Sequence, residues 1–199
     1  MAASKSPRAQ ALLRLRQILA EPFDPKEDIE HTFFGHLVKP GKSDFSDRAA
    51  ALVATQNLEL TLRAAVASRF RPLSPNEERS LFSGEVDAPL SNFAALTNVG
   101  YALEIYGPHF RDDLILIKNI RNAFAHARRH LDFRDIRIAE ACSQIKYGFG
   151  GVWDTPLLPS DIFLRTAQIL AIYLYRFISR QDPIKDAALY PRLASSMDS

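Results

Sequence analysis

The segment from Asp47 to Phe70 constrains the fold of this chain more than any other. Ala49, Leu52, Val53, Leu58, Leu60, Leu62, Val66 and Phe70 spread apolar side chains over much of a helical circumference. Such a helix needs neighbours on more than one flank, which places it in the middle of a bundle. Its polar residues Thr55, Glu59 and Arg63 stand four apart and form one stripe. Glu59 and Arg63 are expected to pair inside the bundle, with Glu59 facing the Arg121 site as the alternative. Asp44 or Ser46 is the expected cap.

The rest of the chain agrees with this period. No stretch alternates at the β period over a useful length, and no internal repeat or low-complexity tract appears. A first helix carries Ala11, Leu12, Leu15, Ile18 and Leu19 on one stripe and ends at Pro22. A short helical piece is expected from Lys26 to Phe34. Ser74-Pro75-Asn76-Glu77 reads as a capping box with proline at the first helical position, opening a short helix that ends near Gly84. A helix over 91–106 follows, with Phe93, Leu96, Gly100 and Leu103 on one face and a left-handed stop at Gly107-Pro108. The next helix, 110–126, buries Leu114, Ile117, Ile120 and Phe124. A further helix over 133–147 uses Ile136, Ile138, Ala141 and Ile145. A Gly/Pro loop holding Trp153 leads to a last long helix, capped by Ser160 or Asp161 and ended by Asp182-Pro183. The expected fold class is all-α, a single-domain helical bundle over residues 8–181, between flexible termini at 1–7 and 182–199.

Composition narrows the function classes. A chain of 199 residues fits one domain with tails, and 24% charged residues is ordinary for a globular protein. The formal net charge of +2 is not the clustered excess of a dedicated DNA-binding domain. Cys142 is the single cysteine, so neither an intramolecular disulfide nor a cysteine-built zinc site can form. The N-terminus lacks the apolar run and cleavage site of a signal peptide. The apolar stretch 162–178 carries Arg165, Gln168 and Arg176, which a membrane span would not readily tolerate. The expectation is a cytoplasmic chain without a membrane partner. His31 and His36, with Asp28 and Glu30 nearby, have no further ligand cluster to complete a metal site. No metal and no cofactor is expected.

Ile120-Arg121-Asn122-Ala123-Phe124-Ala125-His126 is the most informative stretch. Asn122 and His126 lie one helical turn apart and share a face. Arg121 and His126 are five apart, about 140° around an ideal helix, and converge only if the helix loosens or a dimer pairs them. A cation, an amide and an imidazole at one site could hold or cleave a phosphodiester. The structural alternative is that Arg121 and Asn122 hydrogen-bond loop carbonyls while His126 caps the last carbonyls of its helix. That structural reading is the expected one: the cluster should matter for stability more than for chemistry.

Several motifs, in order over about residues 46–146, resemble those of the mannitol-repressor family. They are Arg48-Ala49-Ala50-Ala51-Leu52-Val53-Ala54, Leu81-Phe82-Ser83-Gly84, Pro89-Leu90-Ser91-Asn92-Phe93, Tyr101-Ala102-Leu103, Asp113-Leu114-Ile115-Leu116-Ile117, the 120–126 stretch and Phe133-Arg134-Asp135-Ile136-Arg137-Ile138. The resemblance implies an all-helical bacterial transcription regulator, a repressor without a DNA-reading motif that acts through other proteins. Residues 1–45 and the last helix lie outside it. The same 120–126 stretch is similar to the Arg-x4-6-His motif of HEPN domains. Active members of that group are dimeric, metal-independent ribonucleases. By that resemblance His126 would act on the ribose 2′-hydroxyl proton and Arg121 would steady the phosphate, with Asn122 as the polar residue after the arginine.

Seven cations against three carboxylates lie between Lys118 and Lys146, including Arg121, Arg128 and Arg129. Such a run meets a phosphate backbone or an acidic protein, or is a solvated helix end with local pairs such as Asp132 with Arg128. The hairpin 91–126 has the outline of a helix-turn-helix, but its second helix opens on Leu114-Ile115-Leu116-Ile117, which is core material and not a groove-reading face. Gly148-Phe149-Gly150-Gly151 lacks the lysine of a phosphate loop. The expected role is therefore regulation by binding, with Arg121, His126, Arg128 and Arg129 as contact residues, a regulatory protein as partner, nucleic acid touched through phosphates, and a homodimer as the assembly. The competing role is a HEPN-type ribonuclease or RNA-binding module using Arg121, Asn122 and His126.

Overall fold

The computed structural model describes residues 6–21, 44–83, 88–128, 131–147 and 157–185. Seven helices and no strand lie among them: α1 (Pro7–Ala20), α2 (Asp44–Ala67), α3 (Pro75–Phe82), α4 (Phe93–Ala102), α5 (Pro108–His126), α6 (Ile136–Ser143) and α7 (Pro159–Arg180). The all-α class follows directly. The expected helix at 26–34, the His31/His36 region and the Trp153 loop lie outside the described residues, as does Arg129.

The centre of the bundle belongs to α5 and not to α2. Phe110, Leu114, Leu116, Ile117, Ile120, Ala123 and Phe124 of α5 are all fully buried, and α5 packs against α1, α2, α4, α6 and α7. Helix α2 buries Ala51, Leu58, Leu62, Ala65 and Val66, but Val53 is 61% exposed and Leu60 52%. Its apolar circumference is wider than the face it buries. Its largest interface is with α7. Those two helices run in the same direction: Gln181, past the end of α7, donates to Ser68 Oγ past the end of α2 at 3.3 Å. At their other ends Phe133 links the pair, its N–H donating to Asp47 and its ring meeting Phe163 at 5.4 Å.

Helix α7 is long and apolar enough to cross a membrane by length and composition, with a mean hydropathy of 1.2. Here Phe163, Ala167, Leu170, Leu174 and Phe177 form one buried row against the bundle, while Arg165, Gln168 and Arg176 lie exposed on the opposite side. The core helix of a globular bundle has this pattern.

Several helix ends depart from the sequence expectations. Helix α4 stops at Ala102, and the left-handed residue is Glu104 (φ 55°), not Gly107. Gly107 is extended and serves as N-cap of α5, with Pro108 at the first helical position. The early stop lets Tyr106 fold back on α4, where its hydroxyl donates to the Thr97 carbonyl at 2.8 Å and its ring stacks on Phe110 at 4.7 Å. Gly100 makes room for it: a Cβ there would lie 2.5 Å from the Tyr106 hydroxyl. Helix α6 is limited to 136–143 and leaves Ile136 71% exposed. Helix α7 begins at Pro159 after Leu158, without a side-chain cap from Ser160 or Asp161. The segment after α7 is docked in part: Ile184 is buried, and its N–H donates to the Ile105 carbonyl at 2.8 Å.

Candidate functional site

Helix α5 carries Lys118, Arg121 and Asn122 at the three- and four-residue spacing that puts them on one side. Helix α4 runs antiparallel to α5 across the tight 103–107 turn, so its first turn lies beside this part of α5. Thr55 and Glu59 of α2 complete the walls. Together with Ser91, Asn92, Phe93 and Ala94 they line a half-open cleft of about 310 Å³. Glu59 and Arg121 thus face the same space, which the spacing on α2 allowed but did not require.

The cleft is lined about equally by polar and apolar surface, and its charged side chains are not paired with one another. Among the described residues no ion pair joins Glu59 to Lys118 or Arg121. The expected Glu59–Arg63 pair is not formed either. The Arg63 guanidinium lies 5.7 Å from the centre of the Phe82 ring, a cation–π arrangement, and Glu59 is left to the cleft. Arg121 is half-buried and donates to Asn122 Oδ1 at 3.2 Å. Thr55 is buried, its hydroxyl donating to the Ala51 carbonyl at 2.8 Å. The Asn92 side chain accepts from the Ala95 N–H at 2.9 Å. That leaves the Phe93 and Ala94 N–H groups at the positive end of α4 without a protein partner.

His126 is placed elsewhere. It is the last residue of α5, exposed, and not among the residues that line the cleft. The carbonyl bonds of the structural alternative are also not formed among the described residues: Arg121 donates to a side chain, and Arg48 NH2, not His126, reaches the Ala127 carbonyl at the end of α5 (3.2 Å). Burial holds the Arg48 guanidinium below its usual pKa range.

Among the described residues the basic run does not gather into one patch. Arg137 pairs with Asp135 at 3.2 Å and with Glu21, and Lys146 pairs with Asp112 at 3.2 Å and meets His109 Nδ1 at 2.8 Å. The Asp132 carboxylate accepts from the Arg134 and Asp135 N–H groups at 2.8 and 3.1 Å, capping a turn, and forms no pair with Arg128. Arg128 and Arg134 are exposed. Among the described residues of the run, Lys118 and Arg121 face the cleft. Cys142 is fully buried, and that burial pushes its thiol up to about 12, unlike the exposed, low-pKa setting of a reactive cysteine. Among the described residues no group of histidine, cysteine and carboxylate side chains could hold a metal ion.

Ser91, Asn92 and Ala94 were missed by sequence reasoning because nothing local announces that a helix start will abut a distant one. Lys118 was legible as part of a charged run, and its three-residue spacing from Arg121 was the available signal. No family model, curated protein or solved structure matches the chain.

Proposed function

We propose that the protein is a regulator that works by binding and not by catalysis, of the transcription-regulatory kind that its likeness to the mannitol-repressor family implies. Its partner is another protein, and any contact with nucleic acid goes to phosphates. The observation that carries this reading is the separation of Arg121 from His126. Arg121 and Asn122 line a half-open cleft together with Glu59, whereas His126 stands exposed at the end of α5 and does not line it. A general base must come within hydrogen-bond reach of the proton it removes while the cation holds the same phosphate. Within one chain His126 does not line the cleft that Arg121 and Asn122 face. Support for a protein partner comes from the outer faces of α2 and α7, which leave Val53, Leu60, Ile172 and Tyr175 in solvent.

The test is cleavage of a labelled single-stranded RNA in the presence of a chelator by wild type, Arg121→Ala and His126→Ala. The expected result is no cleavage above the protein-free blank for any of them. Robust wild-type cleavage that either substitution abolishes would overturn the reading and put a HEPN-type ribonuclease in its place.

A further inference from the structure

We propose that the cleft between α2, α4 and α5 binds a small phosphomonoester that also carries a hydroxyl or amine, and that this ligand is the signal the regulator reads. The second half of the proposal rests on the binding role argued above; the first half stands on the cleft alone.

The donors match a phosphate better than a carboxylate. Lys118 offers an ammonium, Arg121 keeps the N–H groups not used on Asn122, and Phe93 and Ala94 present free backbone N–H groups at the positive end of α4. A carboxylate has two oxygens and would leave several of these donors unmatched, whereas a phosphate brings three oxygens and up to two charges. Arginine and helix starts are favoured partners of such groups.

Glu59 sets the second requirement. Glu59 is half-buried, shares the cleft with the two cations and pairs with neither. A bare anion would be repelled by it. A ligand that brings a hydroxyl or amine on the far side of its phosphate gives Glu59 a donor and turns that repulsion into a contact. The volume of about 310 Å³ lies at the small end of ligand pockets, which run to about 1,000 Å³. A nucleic-acid strand needs cations spaced along its backbone. Two other cations of the 118–146 run, Arg137 and Lys146, are engaged with carboxylates away from the cleft lining.

The experiment is calorimetric titration of the full chain with glycerol 3-phosphate, with inorganic phosphate and with glycerol. Glycerol 3-phosphate is expected to saturate one site per chain, inorganic phosphate to bind more weakly and glycerol not at all. Arg121→Gln and Lys118→Gln should each weaken glycerol 3-phosphate by about tenfold or more, the loss of one charge-assisted contact. Glu59→Gln should shrink its advantage over inorganic phosphate. Arg16→Gln, the same charge change on the exposed side of α1, should leave the titration unchanged. Melting curves of each variant establish that it is folded, and two cation variants are used so that the loss of one fold does not end the test.

Absence of saturable binding overturns the proposal. So does binding that both cation substitutions leave intact. A short single-stranded RNA that displaces glycerol 3-phosphate, and is itself weakened by the same substitutions, also overturns it by assigning the cleft to a nucleic-acid backbone. These results are distinguishable from failure of the regulatory reading, which turns on metal-free RNA cleavage and not on glycerol 3-phosphate.

Discussion

Arg121 combines a half-buried position with a single side-chain hydrogen bond, to Asn122 Oδ1. Among the described residues no other hydrogen bond or ion pair uses its guanidinium. Arg121→Gln should therefore change stability by no more than about 1 kcal/mol, the worth of one ordinary hydrogen bond, which thermal melts can read. A larger loss would mean that Arg121 is a structural prop. Tyr106 and Gly100 make the opposite case. Gly100→Ala places a methyl 2.5 Å from the Tyr106 hydroxyl and 2.9 Å from its Cζ, within a buried contact that cannot easily give. The expected cost is about 1–3 kcal/mol. Tyr106→Phe removes the hydroxyl and its bond to Thr97, and should make the Gly100→Ala substitution less costly in the same background. A double-mutant cycle by urea denaturation checks this; strict additivity would show that the two residues do not press on each other. Asp113 is fully buried and its carboxylate accepts from the Lys146 and Tyr147 N–H groups at 3.0 and 2.9 Å. Asp113→Ala orphans both donors and should cost about 2–4 kcal/mol, read from the same denaturation curves.

At the scale of elements, local signals were legible where the chain alone decides. The Ser74 capping box is an example: Ser74 Oγ accepts from the Glu77 N–H at 3.4 Å, and Glu77 accepts from the Ser74 N–H at 2.8 Å. The backbone bond from Ser74, with Arg71 beside it, holds the Glu77 carboxyl below the usual range. A depressed folded value means that its stabilisation is present above the unfolded carboxylate range and is lost as pH falls through the folded value. Wild type should therefore lose more stability than Glu77→Gln between about pH 5 and about pH 3, since only the carboxylate can be neutralised there. Melts at several pH values check it, and parallel curves for the two proteins would contradict it. Other boundaries depended on distant partners and were not legible. Nothing near Leu103 says that α4 must stop, because the reason is Tyr106 returning to Thr97. The apolar circumference of α2 suggested a central helix, yet α5 holds the centre and α2 exposes Val53 and Leu60. Apolar count along a helix reports how much surface wants burial, not how much neighbours supply.

At the scale of the whole molecule, the central helix α5 carries both the core and the cleft. One side of it buries Leu114, Ile117, Ile120 and Phe124; another presents Lys118, Arg121 and Asn122 beside the start of α4 and Glu59 of α2. The sequence identified Arg121 and Asn122 and raised Glu59 as their neighbour. It left His126 undecided because a five-residue spacing on a helix does not by itself bring two side chains together. It could not supply Ser91 and Asn92, which reach the cleft only through the antiparallel return of α4 on α5. The central claim is that this cleft, and not the exposed end of α5, is where the protein meets a ligand. The most direct measurement is an amide ¹H–¹⁵N spectrum of the full chain titrated with glycerol 3-phosphate. The account predicts that the shifted amides centre on Phe93 and Ala94, with the Arg121 and Asn122 side-chain signals moving at the same ligand concentration. Shifts centred on His126 and Arg128, with the first turn of α4 unmoved, would contradict it.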